Sequence, residues 1–430
     1  MINMDVVLNE REARAARTAV AEFDRLLSSE KTFEPIKAGL PPQVVNALYK
    51  SYSRQRQDLV SLINAYETAK QGDYKDLQKR AGRDPGLSLI VARIARDLTQ
   101  KDLARKLGLK EQQIQRYEAD RYRSISLGNF QRVAAVLGLQ WQLDLSSWIL
   151  SGWNVAESIS AVDVKKILKH AREHQWLDDT LKNSSDEESF TYLHRDVTDH
   201  ILKFGTPTLL RTGLNTESRT DDLLLVAWKS RVARIASRII SDKTVKYCMG
   251  DATWLIDLVH LSNLPDGPIQ AREMLLTKGI VLVAERQIPG MRVDGAAFLV
   301  DGIPVIGLTL RRDTIDNFWF TLLHEVGHAL LHYRSGLNVG FFDDVERPSL
   351  EEVELEANEF ASNLLIPEEK WKRSPARISK STGPIEKFAR EMNINSAIVF
   401  GRIQKERNNY TIFSDLLGKG TVRNQLIQNK

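Results

Sequence analysis

The sequence predicts a mainly α-helical protein with one small α+β domain. Three observations predict it. Residues 1–80 and 146–274 repeat apolar side chains at the three- and four-residue spacing of helices. Strand-like runs are concentrated between Gly279 and Leu310, around an Asp301-Gly302 turn. The charge is also blocked: the 430-residue chain totals only +4, yet counting gives +5 over 89–138, −9 over 341–369 and +9 over 370–430. Such a mosaic implies several domains with different partners, and the small total says nothing against nucleic acid. A single cysteine, Cys248, excludes a disulfide framework and Cys-rich zinc modules. With no apolar run of membrane-spanning length and no signal-like start, a cytoplasmic protein is expected, with no membrane partner.

Taken in order, residues 1–80 read as a helical hairpin suited to packing or dimerisation. Asn9–Leu27 is rich in Ala, Arg and Glu, Gly39-Leu-Pro-Pro42 interrupts, and Val44, Leu48, Tyr52, Leu59 and Leu62 resume a helical stripe. Residues 81–145 form short helices around Gly108, and 146–274 a helical connecting region with breaks at Gly152, Gly205-Thr-Pro207 and Gly213. Asn183–Glu188 reads as a loop. Strands are expected at Gly279–Ala284, Ala296–Val300 and Pro304–Leu310, then helices at about 313–332 and 350–365. The core domain is placed at 275–370 and a basic helical C-terminal cap at 371–430.

The chemistry is concentrated on those last two helices. FTLLHEVGHALLHY places His324 and His328 four apart, on one helix face. That spacing suits two imidazoles on one Zn²⁺, and the adjacent Glu325 can serve a coordinated water as general base. Leu322, Leu323, Val326, Ala329 and Leu330 make the rest of the helix apolar, and unpaired histidines in such a setting are costly. A third protein ligand is needed. Leu331 stands where metzincins carry a glycine, so that class fails, and His332 drifts around the helix toward an outer-layer role. In ELEANEFASNLLIP, Glu354, Ala357, Asn358 and Ala361 share a face, the alanines permit close approach, and Glu354 can ligate while Asn358 hydrogen-bonds a ligand histidine. Glu356 is the runner-up.

DGAAFLVDGIPVIGLTLRRDTIDNFWFTLLHEVGHALLH followed by ELEANEFASNLLIP resembles the ImmA/IrrE family of zinc metallopeptidase-like regulators. The resemblance implies a zincin-like core of gluzincin type, with His324, His328 and Glu354 on zinc and Glu325 as base. It further implies cleavage of a repressor or other regulatory protein in a stress, phage or defence circuit. Under it, Pro304–Leu310 is the expected edge strand for an extended substrate.

A second motif, LTQKDLARKLGLKEQQIQRYE at 98–118, reads as a helix capped by Thr99, a turn at Gly108 and a second helix from about Lys110 to Ala119. Lys110, Gln112, Gln113, Gln115 and Arg116 point outward, where Gln suits adenine and Arg or Lys suits guanine or phosphate. Gln100 is placed for a phosphate. The stretch resembles the XRE (Cro/repressor-type) helix-turn-helix family, which implies a double-stranded DNA operator and a homodimer. The combined expectation is a DNA-binding regulator with a zinc endopeptidase domain. The alternative is an antitoxin-like autorepressor whose zinc fold binds a toxin partner without proteolysis.

Overall fold

The computed structural model describes residues 6–28, 36–82, 84–139, 161–177, 185–204, 219–247, 250, 252–333 and 350–427. Cys248, the start of the connecting region at 146–160, its breaks at Gly152 and 205–213, and acidic residues 341–349 lie outside them. Contacts divide the chain into two compact units, Met1–Arg25 with Ser53–Asn154, and Leu26–Tyr52 with Val155–Lys430. No helix among the described residues is long and apolar enough to cross a membrane.

In the first unit, α1 (Glu10–Ser28) starts at Asn9, whose Oδ1 accepts from the Glu12 backbone while its amide donates to the Glu12 carboxylate. Its buried face is Ala13, Ala16, Ala19 and Phe23. The 29-residue α2 (Pro42–Lys70), which belongs to this unit from Ser53 on, meets it through two ion pairs, Arg17 with Glu67 and Arg56 with Asp24. Short helices follow: α3 (Lys75–Ala81), α4 (Pro85–Ile94), α5 (Gln100–Leu107), α6 (Glu111–Ala119) and α7 (Leu127–Val136). Their starts are written in side chains. Asp84 caps α4, Ser126 caps α7, and Thr99 with Asp102 forms a full capping box on α5. Gly108, at φ 67°, ends α5 in the left-handed conformation, so the chain turns directly into α6. Leu103, Leu107, Ile114, Tyr117 and Val133 fill the core between them.

The second unit contains α8 (Ala161–Glu173), α9 (Asp186–Phe204), α10 (Arg219–Lys243), α11 (Leu255–His260) and α12 (Gly267–Thr277). The polar stretch expected as a loop thus turns helical at Asp186, because acidic residues favour a helix's first turn. A three-stranded sheet follows, β1 (Val281–Ala284), β2 (Gly295–Val300) and β3 (Ile303–Leu308), in the order β1-β3-β2. Asp301 and Gly302, at φ 51° and 78°, make the tight hairpin that the sequence signals. β3 pairs in parallel with β1 and antiparallel with β2. It is therefore the central strand, and the expectation that Pro304–Leu310 offers an edge is corrected. Both sides of that strand's backbone are already bonded.

Helices cover both sheet faces. Trp228 and Val232 of α10 press on Gly307, whereas Thr321 and Glu325 of α13 (Ile315–Leu331) press on Gly295. Gly295 pairs with Leu308 and Ala296 with Gly307, so these two glycines face opposite ways. α14 (Leu350–Leu365) packs along α13. Then come α15 (Glu368–Arg373), α16 (Thr382–Met392), α17 (Ser396–Glu406) and α18 (Arg423–Leu426). This tail is packed, with Ile385, Val399, Phe400 and Ile403 fully buried. It is strapped to the start of α13 by Ile315 N–H to Leu417 O at 2.9 Å, and by Val422 and Arg423 N–H to Asp313 Oδ1 at 3.1 and 3.0 Å.

A Cβ at Gly307 would stand 2.6 Å from Cη2 of Trp228. Gly307→Ala is expected to destabilise by about 1–3 kcal/mol through overpacking. A thermal melt followed by tryptophan fluorescence checks this, and an unchanged midpoint would refute it.

Candidate functional site

Thr314 and His332 bound the helix that carries the histidines. Phe318, Trp319, Leu322, Leu323 and Val326 anchor its apolar faces, so the side bearing His324 and His328 is fixed toward α14. Close approach of the two helices occurs at Gly327, where a Cβ would lie 3.1 Å from Phe360 Cδ1 and 3.4 Å from Ala357 Cα. Ala357 and Ala361 are fully buried. Small residues on both helices thus bring Glu354 over the two imidazoles.

The resulting donors converge. His324 Nε2 and His328 Nε2 are 3.0 Å apart, and each lies 3.4 Å from an oxygen of Glu354. Donors on a tetrahedral ion at about 2.0–2.1 Å stand about 3.3 Å from one another, so this triangle fits one zinc-like cation with a fourth position open. His324, His328 and Glu354 could therefore hold a divalent metal. Burial opposes ionisation of Glu354, but hydrogen bonds from His324 and His328 outweigh it and lower its pKa to about 2. Burial likewise opposes charge on His324, yet Glu354, Glu325 and Asn358 raise its pKa above the ordinary value.

Glu325 is not one of the three converging donors but lines the same cleft. It is 2 % exposed, and its Oε2 is buried without a hydrogen-bond partner among the described residues. Burial raises its pKa, against the pull of His324, His328 and Lys229. Oε1 lies 2.8 Å from where a Cβ at residue 295 would stand, so a side chain there would push the Glu325 carboxylate from this position. Lys229 carries no motif that marks it in the sequence. It is buried in α10 with its Nζ 4.7 Å from the Phe298 ring centroid, and burial lowers its pKa to about 7 while Glu325 partly opposes the shift. The one available signal was a lysine inside the apolar run LLLVAWKS.

The outer positions separate clearly. Asn358 lines the cleft and interacts with His324. His332, fully buried, lies 5.4 Å ring to ring from His328 and 3.7 Å from Glu356 Oε2. The runner-up acid thus faces His332, outside the triangle. A cleft of about 850 Å³ opens over the site. It is lined by Arg292–Gly295, by Phe320 and Thr321 of α13, and by residues of α17 and the segment after it, including Tyr410. The tail expected as a C-terminal cap thus also contributes to the site.

In the first unit, Lys110, Gln112 and Arg116 are exposed along α6. Gln115 is exposed too but donates to Glu111 at 3.2 Å, and Gln113 donates to Tyr117 Oη at 2.7 Å. Gln100 turns inward: its amide donates to Glu118 Oε2 at 2.7 Å. Glu118 is buried and also takes the Arg93 guanidinium at 2.6 and 2.9 Å, and Arg93 in turn donates to Leu98 O. This network ties α4, α5 and α6 together beneath the exposed face of α6.

Comparison with protein families places a helix-turn-helix domain at residues 89–143 and an IrrE N-terminal-like domain, of peptidase family M78, at residues 278–395. Searches of curated proteins and of solved structures found no significant match. The two domains coincide with the α4–α7 cluster and with the sheet, α13 and α14.

In chelator, the triad's own contribution to stability should peak between pH 4.5 and 6.5. Glu354 falls from 4.5 to about 2, so its contribution is present above 4.5 and fades as pH falls toward 2. His324 is raised from 6.5, so its contribution is present below 6.5 and disappears as pH rises through the folded value. Melting temperatures of the parent and Glu354→Ala across this range test the shape, and a pH-independent difference would refute it. Divalent-metal affinity should instead climb with pH, since ligand histidines must be neutral. Glu354→Ala should lose metal while Glu356→Ala retains it, as read by elemental analysis.

Proposed function

From a chain that carries a helix-turn-helix domain and an IrrE N-terminal-like domain, we propose a DNA-binding regulator that is also a zinc endopeptidase, hydrolysing a peptide bond in a regulatory protein. The observation that carries the reading is the convergence of His324, His328 and Glu354 beside a buried, unpartnered Glu325 at the base of an open cleft. His324, His328 and Glu354 would hold the ion, which supplies Lewis acidity to water and to the scissile carbonyl. Glu325 takes the proton from the attacking water and returns it to the departing amine. Its environment supports this role: burial raises its proton affinity, while neighbouring positive charge keeps the carboxylate accessible. Residues 292–295, with no strand paired on their cleft side among the described residues, give an extended substrate backbone a place beside that carboxylate.

The acid-base pair needs no second metal and no further carboxylate, which favours amide hydrolysis over phosphoester chemistry at this site. In the first unit, Lys110, Gln112 and Arg116 would meet the major groove, with Gln113 and Gln115 released from their intrahelical partners on contact. Gln100 would act indirectly, by holding Glu118 and so the angle between α5 and α6.

Co-expression of the parent or Glu325→Gln with neighbouring regulators, followed by mass spectrometry, tests the peptidase. A new product is expected with the parent alone, and a loss of about 10²–10⁴ in rate with the variant. Identical profiles, with zinc bound in both and DNA binding intact, would defeat the reading and leave a partner-binding autorepressor. On a selected operator, Arg116→Ala should weaken binding by about 1–3 kcal/mol if it reads a base. Lys110→Ala should weaken all sequences alike and reduce the salt slope by about one. Unchanged affinity in both would remove α6 from the interface.

A further inference from the structure

One wall of the cleft comes from residues beyond the matched domain. Arg402, Lys405, Tyr410, Ser414 and Lys419 line it, all past residue 395, where the IrrE-like match ends. Arg292, Arg311 and Arg312 also line the cleft, so its lining is cationic, and outside the metal-site carboxylates only Asp294 and Asp316 among its lining residues are acidic.

Most of this charge is already answered. Arg311 holds Asp294 through two bonds of 3.0 and 3.1 Å, Arg402 holds Glu368 at 2.7 Å, and Lys419 lies 3.9 Å from Asp415. Asp316 belongs to the first turn of α13 and abuts Gly401, with Arg312 near it. Lys405 differs. No carboxylate lies within ion-pair distance of its ammonium among the described residues, which instead sits 4.6 Å from the centroid of the Phe320 ring. Partial burial, and then Arg402, hold it below the ordinary lysine range. Lys405 is exposed to solvent at the cleft, and an accessible cation placed beside another cation and set over an aromatic face complements an incoming anion.

Its distance from the chemistry can be bounded. The Phe320 ring is 6.3 Å from the His324 ring, so the two steps put the ammonium within about 11 Å of the His324 ring. An extended peptide advances about 3.3 Å per residue, so this span is about three residues. The ring beneath the ammonium and the apolar floor of Leu365, Ile366 and Ile398 suit one side chain on a short stem, and they suit the backbone of a duplex poorly.

We propose that Lys405, seated on Phe320, is the specificity determinant of the cleft, and that it selects peptides carrying a carboxylate side chain, Glu or Asp, within about three residues of the scissile bond. The inference rests on the reading of the cleft as a peptide site, and it adds the class of peptide taken.

The test uses the full-length chain loaded with zinc and carrying Glu325→Gln, so that captured peptides survive. Blocked ten-residue peptide libraries, each with one position fixed as Glu, Gln or Lys, are passed over it, and retained peptides are read by mass spectrometry. Enrichment of Glu over Gln by on the order of tenfold is expected at one position. Lys405→Met, which keeps the stem over Phe320, should abolish the preference. Lys405→Glu should reverse it toward Lys, a gain that misfolding cannot produce. Retention of peptides with no charge preference, or the same preference in Lys405→Met, would overturn the proposal and leave the peptidase reading standing. Retention of no peptide at all would sink both. Peptide displacement by a short DNA duplex that binds the parent but not Lys405→Met would assign the wall to nucleic acid and overturn the proposal.

Discussion

The close approach of α13 and α14 is the constraint on which the rest of the site depends. Two imidazoles four residues apart define a line along one helix, but a third donor must arrive from elsewhere, and a carboxylate on a two-carbon stem reaches only a few ångströms. Gly327 against Ala357 and Phe360 brings the backbones near enough for Glu354 to touch both rings at once. A Cβ at 327 would stand 3.1 Å from Phe360 Cδ1 and 3.4 Å from Ala357 Cα, so any side chain there crowds this contact. The sheet serves the same end from the other side, since Gly295 leaves room for Glu325, and Gly307 lets Trp228 seat α10 on the opposite face.

This arrangement also fixes the electrostatics. A buried carboxylate is stable only when its charge is answered. Glu354 is answered by two imidazoles and stays ionised to about pH 2, whereas Glu325, one residue from His324, is left with an unbonded oxygen and a raised proton affinity. Two carboxylates of one cleft are thereby driven in opposite directions, one toward permanent charge and one toward easy protonation. That division is what an acid-base site beside a cation requires.

Much of this was legible in the sequence because it is local. The histidine spacing, the alanine face of ELEANEFASNLL, the Asp301-Gly302 hairpin and the Thr99 and Gly108 signals each depend on residues within one or two turns of chain, and the structure places each as expected. The parts that were not legible depend on pairing between distant segments. Strand order cannot be read from strand pattern, because β3 is as apolar as an edge strand buried on both faces, and only the pairing with β1 makes it central. Gln100 carries no mark in the sequence that sets its inward bond to Glu118 apart from an outward one to phosphate. The C-terminal tail reads as an amphipathic basic cap, and nothing local reveals that its polar face lines a cleft.

That last point changes what the tail does physically. Ile315, at the start of the site helix, is bonded to Leu417, and Asp313 receives the backbone of Val422 and Arg423. The same segment that fixes the register of α13 therefore builds the wall facing its histidines, so position and selectivity are set together. A tail held only by exposed ion pairs could shift under salt, because such pairs contribute little and are screened. Here Phe400, Ile403 and Val399 are buried, and two cations of the wall, Arg402 and Lys405, are carried on a helix with an apolar anchor. The charge presented to the cleft is consequently held by packing, which salt does not weaken, while its attraction for an incoming anion remains open to screening.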